Sequence, residues 1–251
     1  MNNNNIIKTF GFILFCFITL NLASCASNPA AAPKPKSAAS FNARLGAEYL
    51  RKGKMQLASE KLEKALSQDP DSASAHHYYA LLQEALKQNK KAQLHFRKAL
   101  HITPDDPQLN NNYGSFLCKL KNYSEAEKHF LKATSDPLYS TPYFALTNAG
   151  VCAHDAGNLE KAEKFFNKAL KKQANFPPAL YAVAKLAYDQ RDYSRAQAFL
   201  FRYTETAGEN AKSLALCKQI NVQLGELKQA DECSAKLLKL YPNSKEAISL
   251  N

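Results

Sequence analysis

The stretch Leu109–Ala133, L-N-N-N-Y-G-S-F-L-C-K-L-K-N-Y-S-E-A-E-K-H-F-L-K-A, has the pattern of two short helices packed against each other. Gly114 and Ala126 carry almost no side chain, so the axes of the two helices can approach closely at these residues. Leu117 and Phe130 are large enough to fill the space beside this contact. The N-Y pair in the middle of the stretch marks the turn. The stretch therefore predicts a helical hairpin.

The hairpin pattern recurs along the chain at a nearly constant interval. An alanine opens each second helix at intervals of 34, 34, 36, 34 and 34 residues, at Ala58, Ala92, Ala126, Ala162, Ala196 and Ala230. The residues four positions further on are large and apolar in every case but the last: Leu62, Phe96, Phe130, Phe166, Leu200 and Ser234. A fixed period of this length indicates stacked structural repeats.

This period and spacing resemble the tetratricopeptide repeat, a helix-turn-helix module. The resemblance implies an all-α solenoid in which six repeats stack into a right-handed superhelix. The predicted repeats are residues 39–72, 73–106, 107–142, 143–176, 177–210 and 211–244, followed by a carboxy-terminal extension at 245–251. The repeats account for 206 of the 251 residues, so we expect one elongated domain and no other.

The amino terminus, residues 1–24, has the pattern of a lipoprotein signal peptide. Lys8 precedes an apolar segment of 11 residues, Phe10–Leu20, which is too short to span a membrane. The next residues, L-A-S-C, resemble a bacterial lipobox. This resemblance implies that the signal peptide is cleaved off directly before Cys25 and that Cys25 is lipidated. The alternative is an ordinary secretory peptide with an incidental cysteine.

The segment after the signal peptide, residues 25–38, is rich in proline, alanine and lysine. The lipobox resemblance implies that this segment starts with a lipidated cysteine, and its composition predicts a tether without a core of its own, in which three prolines oppose helix formation. Ala26 follows Cys25, where an aspartate would resemble an inner-membrane retention signal. The resemblance therefore implies an anchor in the outer membrane.

The charge of the chain is strongly basic, with a formal net charge of +11. A basic surface is compatible with nucleic acid, anionic lipid or an acidic partner. The export signal argues against nucleic acid as a partner. Many lysines lie three or four residues from a glutamate on the predicted second helices, which is typical of a solvated helix face. We therefore expect a solvated face, with contact to lipid or to a partner as the alternative.

A catalytic or metal-binding pattern is absent from the sequence. The six histidines form no H-x-x-x-H pair, and the chain contains no G-x-S-x-G, no C-x-x-C and no glycine-rich phosphate loop. We predict no enzyme activity, no cofactor and no metal. The sequence favours a binding scaffold.

Four cysteines remain after the signal peptide and Cys25, and four thiols allow three pairings. An exported protein meets an oxidising compartment, which permits disulfides. In the repeat register Cys118 and Cys152 fall on neighbouring first helices, whereas Cys217 and Cys233 fall on the two facing helices of one repeat. We predict these two pairings. The alternative for each cysteine is a buried free thiol.

Partner contacts are predicted on the first helices, because these line the concave face of a tetratricopeptide superhelix. Family positions 2, 5, 6, 9, 12 and 13 give the predicted contact residues Asn111, Asn112, Ser115, Lys119, Phe144, Thr147, Asn148, Val151, Tyr181, Lys185 and Tyr188. Asn112 and Asn148 share position 6, where an asparagine often clasps the backbone of an extended ligand in peptide-binding members of the family. The alternative is that both are solvated.

A closer resemblance rests on the lipobox, the tether, the six repeats and the strings L-N-N-N-Y-G-S-F-L-C, L-T-N-A-G-V-C and E-N-A-K-S-L. Together they resemble the type IV pilus pilotin lipoproteins. This implies a monomeric outer-membrane lipoprotein of a Gram-negative bacterium, with repeats facing the periplasm, that binds the type IV pilus secretin and promotes its localisation and multimerisation. The alternatives are a generic periplasmic adaptor in envelope assembly and an envelope enzyme.

Overall fold

The computed structural model describes residues 35–250, and within this range the chain forms thirteen helices and no strand. In order they are α1 (Pro35–Arg51), α2 (Met55–Gln68), α3 (Ala73–Ala85), α4 (Asn89–Ile102), α5 (Pro107–Lys119), α6 (Tyr123–Ser135), α7 (Pro142–Asp155), α8 (Leu159–Lys172), α9 (Pro177–Asp189), α10 (Tyr193–Ala207), α11 (Ala211–Leu224), α12 (Leu227–Leu240) and α13 (Lys245–Ile248).

The helices pack in consecutive pairs from α1/α2 to α11/α12. Each second helix also packs against the first helix of the next pair, and the first helices α5, α7, α9 and α11 lie side by side. The short helix α13 packs on α11 and α12, where it buries Ala247. Each repeat thus buries its apolar face against its neighbours. The predicted all-α solenoid of six helical pairs is confirmed.

The start of α1 corrects one predicted boundary. We expected the tether to run to residue 38, but α1 begins at Pro35. A proline in the first turn of a helix removes no helical hydrogen bond, because the first N–H groups have no partner within the helix. The signal peptide at 1–24, Cys25 and the tether up to residue 34 lie outside the described residues.

A glycine–aromatic interlock holds the central pairs together. Gly114 on α5 faces the ring of Phe130 on α6, and a Cβ atom at Gly114 would lie 2.9 Å from two ring carbons. Gly150 on α7 faces Phe166 on α8, and a Cβ atom there would lie even closer to the ring. Both phenylalanines are 1% exposed. The missing side chain is therefore what allows each pair of helices to close over its ring.

We expect Gly150→Val to lower the free energy of unfolding by about 2 kcal/mol, because the added methyl groups overlap the ring of Phe166. Gly150→Ala should cost less, since the second repeat holds Ala80 at the same position opposite Phe96. Alanine also favours the helical backbone by roughly 1 kcal/mol over glycine. Urea unfolding of both variants measures the difference. Equal stability of the valine variant and the parent protein would contradict the interlock.

The last repeat lacks this interlock. Lys218 and Ser234 occupy the two positions that glycine and phenylalanine hold in the central repeats. A disulfide between Cys217 and Cys233 joins α11 to α12 one residue before each of them. The two helices are therefore held by a covalent link where the other repeats use packing.

Candidate functional site: the first-helix face

The eleven predicted contact residues lie on three neighbouring first helices. They are Asn111, Asn112, Ser115 and Lys119 on α5, Phe144, Thr147, Asn148 and Val151 on α7, and Tyr181, Lys185 and Tyr188 on α9. We call the surface that carries them the first-helix face. Because α5, α7 and α9 pack side by side, the solenoid brings these residues from three repeats onto adjacent helices.

The two asparagines of repeat position 6 each bond to the preceding first helix. Nδ2 of Asn148 donates to Oδ1 of Asn111 at 2.9 Å. Nδ2 of Asn112 lies 2.9 Å from Nε2 of His77. Burial lowers the pKa of His77 to about 4, so this imidazole is neutral near pH 7 and can accept the hydrogen bond. The carboxamide oxygens of Asn112 and Asn148 have no hydrogen-bond partner within residues 35–250, so each asparagine keeps an acceptor.

Ion pairs neutralise the lysines of this face. Nζ of Lys119 lies 2.6 Å from a carboxylate oxygen of Glu84 on α3. Lys185 pairs with Asp189, one turn further along α9. The same Asp189 carboxylate lies 2.8 Å from Nε2 of His154 on α7. The positive charges of Lys119 and Lys185 are therefore balanced by carboxylates of the chain itself.

Two of the predicted contact residues are not accessible. Asn111 is 7% exposed and Thr147 is 4% exposed. Both hold repeat position 5, and their polar atoms bond within the protein: Asn111 accepts from Asn148, and the Thr147 hydroxyl donates to the Tyr143 carbonyl at 2.7 Å. Position 5 therefore contributes to packing between helices in these two repeats and presents nothing to a partner.

The exposed side chains of the face are that of Lys119, which is ion-paired, and those of two apolar residues. Phe144 is 44% exposed and Val151 is 41% exposed, and both lie on α7. The ring of Phe144 packs edge-on against Phe176, with centroids 4.7 Å apart, which fixes its position. Nζ of Lys185 lies 5.7 Å from the centroid of the Tyr188 ring. Side chains that are already ordered lose little conformational entropy when a partner binds.

The remaining contact residues have internal partners as well. The Ser115 hydroxyl donates to the Asn111 carbonyl at 3.0 Å. The ring of Tyr181 lies 5.5 Å from that of Tyr203 on α10. The face therefore combines fixed apolar side chains with the two free amide acceptors, and this chemistry suits an extended polypeptide whose backbone N–H groups need acceptors.

Both predicted cysteine pairs are disulfide bonds in the structure. Cys118 on α5 is joined to Cys152 on α7, with Cα atoms 5.7 Å apart. Cys217 on α11 is joined to Cys233 on α12, with Cα atoms 6.1 Å apart. The first bond links two repeats and the second links the helices of one repeat. The bond between Cys118 and Cys152 connects the same two helices as the hydrogen bond between Asn148 and Asn111.

Three partners of this face were not among the predicted residues: His77, Glu84 and Asp189. Each bonds a residue on the neighbouring first helix, and the sequence separation is 35 residues in all three pairs. These three residues could have been predicted by searching the sequence for pairs of polar residues 35 positions apart, which is one repeat period plus one residue. Within residues 35–250, no group of three or more side chains is suited to hold a metal ion, and no helix has the length and apolar character to cross a membrane.

Known proteins share this architecture. One sequence model of the tetratricopeptide repeat matches residues 49–108 and 153–220, and a second matches residues 119–179. The type IV pilus assembly protein PilF of Pseudomonas aeruginosa is 31% identical over 203 residues, which cover 81% of each chain. The chain belongs to the tetratricopeptide-repeat proteins of type IV pilus biogenesis.

Two solved structures of this family are similar to the chain over most of its length. PilW, described as a widely conserved type IV pilus biogenesis factor, is 34% identical, with a TM-score of 0.78 over 84% of this chain and 97% of the PilW chain. The structure of PilF from Pseudomonas aeruginosa is 30% identical, with a TM-score of 0.74 over 86% of this chain and 97% of that chain. The repeat array of this pilus biogenesis protein is therefore similar to both structures over most of its length.

Proposed function

We propose that this protein is a pilotin: a lipoprotein that binds the type IV pilus secretin and promotes its localisation and multimerisation at the outer membrane. The observation that carries the proposal is the similarity to PilF and PilW, which extends through nearly the whole of each relative. In this proposal the protein acts as a scaffold without catalysis, and its anchor is Cys25 of the lipobox-like L-A-S-C, ahead of the first repeat.

The first-helix face is the proposed contact surface for an extended segment of the secretin. The carboxamide oxygens of Asn112 and Asn148 accept hydrogen bonds from its backbone, and Phe144 and Val151 provide apolar contact. Because the lysines of this face are paired with carboxylates, the segment needs no large negative charge. The bond between Cys118 and Cys152 holds α5 and α7 together, so the face is formed before the partner arrives.

Co-purification with the secretin tests the proposal. We expect the parent chain to capture the secretin from detergent-solubilised envelopes, and the variant Asn112→Ala with Asn148→Ala to bind it more weakly. Each lost hydrogen bond should cost about 1 kcal/mol, a several-fold loss of affinity apiece. Asn167→Ala is a matched control, because Asn167 is an exposed asparagine on the second helix α8.

The double variant also removes the two bonds between first helices, so its helix content and unfolding midpoint are measured alongside the affinity. Weaker capture by a folded double variant, with normal capture by the Asn167 variant, supports the contact surface. Full capture of the secretin by the double variant would show that the two asparagines are not part of the contact surface. A parent chain that captures envelope proteins but no secretin would favour the generic adaptor.

A further inference from the structure

A cavity of about 280 Å³ lies between α10, α11 and α12, at the junction of the last two repeats. Its apolar wall consists of Leu200, Phe201, Leu214 and Ile220, and the disulfide between Cys217 and Cys233 forms part of the lining. None of the eleven residues of the first-helix face lines it. The cavity is therefore a separate feature, and its capacity to bind a ligand is independent of the proposed function.

The other repeats show why this cavity is open. Repeat positions 7 and 23 face each other across a helical pair, and in repeats two to five at least one of them is aromatic: Tyr79 with His95, Tyr113 with His129, Ala149 with Phe165, and Val183 with Phe199. In the second and third repeats the two rings lie 4.7 Å apart. The last repeat holds Cys217 and Cys233 at these positions. Two short side chains there replace an aromatic ring.

The fourth repeat provides the direct comparison. At the equivalent junction of α6, α7 and α8, the cleft is about 220 Å³ and the ring of Phe165, which is 6% exposed, lines it opposite Ala149. The cavity of the last repeat extends further, to Thr204 and Ser213, where no such ring intervenes. The fourth repeat thus shows that a junction of this kind accommodates an aromatic ring.

The size and lining of the cavity agree with that comparison. An apolar cavity of about 150 Å³ is enough to admit benzene, so the larger cavity here has room for an aromatic side chain and the start of its backbone. Phe201 lies on its wall with 63% of its surface exposed. An exposed aromatic residue beside an apolar cavity gains contact area when a second ring enters.

The charges at the rim add a preference. Lys236 on the rim is already paired with Glu209, at 2.7 Å. Glu232, also on the rim, forms no ion pair within residues 35–250, so the uncompensated charge of the lining is negative. We propose that this cavity binds an aromatic side chain of a partner polypeptide that carries a basic residue next to it.

The test titrates the full, oxidised chain with the probe N-acetyl-phenylalanyl-arginine amide. Binding is monitored through the backbone amide chemical shifts of the ¹⁵N-labelled protein by NMR. We expect saturable shifts confined to α10, α11 and α12. Phe201→Ala should weaken binding by about tenfold, because it removes one wall of the cavity. Leu131→Ala is the matched control: Leu131 has the same repeat position on α6 and is 47% exposed. Equal effects of the two variants, or shifts spread over the whole chain, would overturn the proposal.

A second pair of variants tests the reason for the cavity. Cys217→Ala with Cys233→Phe reproduces the Ala149 and Phe165 of the fourth repeat, so its new ring should fill the part of the cavity beside these two positions and weaken probe binding by about tenfold. Cys217→Ala with Cys233→Ala removes the disulfide without filling the site and should still bind. Unchanged probe affinity in the filled variant, with circular dichroism showing both variants folded, would reject the site.

The basic neighbour is tested by Glu232→Gln. The parent chain should prefer the arginine probe over N-acetyl-phenylalanyl-glutamine amide by about threefold, and this preference should vanish in the variant and at high salt. An arginine preference that survives Glu232→Gln would show that the negative rim does not select the partner.

Discussion

Loss of the disulfide between Cys118 and Cys152 is expected to lower the free energy of unfolding by about 3 to 4 kcal/mol. The two cysteines are 34 residues apart, so the bond closes one complete repeat period in the unfolded chain and restricts its conformations. Cys152 is also 3% exposed, and its replacement by alanine leaves a small space in the packed junction of α5 and α7. This bond is therefore expected to contribute to the stability of the central repeats about as much as a buried aromatic side chain does.

Peptide mapping without reduction, followed by urea unfolding, measures this effect. Mass spectrometry of protein isolated from the periplasm should show the Cys118 and Cys152 peptides linked. The variant Cys118→Ala with Cys152→Ala should then unfold at a lower urea concentration than Cys217→Ala with Cys233→Ala, whose bond spans 16 residues and contributes about 3 kcal/mol by the same reasoning. Both thiols of the first pair found free, or a larger loss from the second variant, would contradict the expectation.

The fold was predictable because its determinants repeat at fixed spacing. Gly114 opposite Phe130, and Gly150 opposite Phe166, are visible in the sequence as small and large residues at constant separation. A helical hairpin of 34 residues cannot bury its apolar side alone, so each repeat stacks against its neighbours. Six such units agree with one another, so one irregular position, such as Ser234, leaves the fold unchanged.

The contacts of the first-helix face were less predictable. Repeat position alone placed Asn111 and Thr147 on the accessible surface, but the structure buries both. A position within one repeat does not say whether a polar side chain meets solvent, a partner or the next repeat. That choice depends on what the neighbouring repeat offers: Lys119 meets Glu84 because the third repeat follows a repeat with a carboxylate at the matching place. The contacts of this face can therefore be predicted only when two neighbouring repeats are considered together.

The same dependence on neighbouring residues explains the boundary at the amino terminus. Three prolines predicted a tether up to residue 38, yet α1 begins at the last of them, Pro35. A proline opposes helix in the interior and is compatible with the first turn, so its effect depends on where the helix starts. Here the alanines after Pro35 continue into the first repeat, and Ala39 and Ala43 are fully buried.

Replacement of Cys25 by alanine, with export through an ordinary signal peptide, is expected to leave secretin binding intact and to deplete secretin multimers at the outer membrane. The physical reason is that the pilotin proposal assigns anchoring to Cys25 and binding to the repeats, which are different parts of the chain. Acyl chains on Cys25 would confine the protein to the membrane where the secretin must assemble, and a tether raises the effective concentration of the bound partner by on the order of 100-fold. The repeats, from α1 to α12, keep their contact surface without the anchor.

Secretin multimers in fractionated membranes, scored beside surface pili, provide the measurement. The Cys25→Ala protein should capture the secretin as well as the parent does, while multimers are few or misplaced. A chain reduced to residues 1–38 should do worse, because a lipidated tether has no surface with which to hold the secretin. Binding lost together with anchoring would show that the two properties are not separable. Normal multimers in cells that lack the whole protein would reject the pilotin proposal, and the generic adaptor would then be the better account of this solenoid.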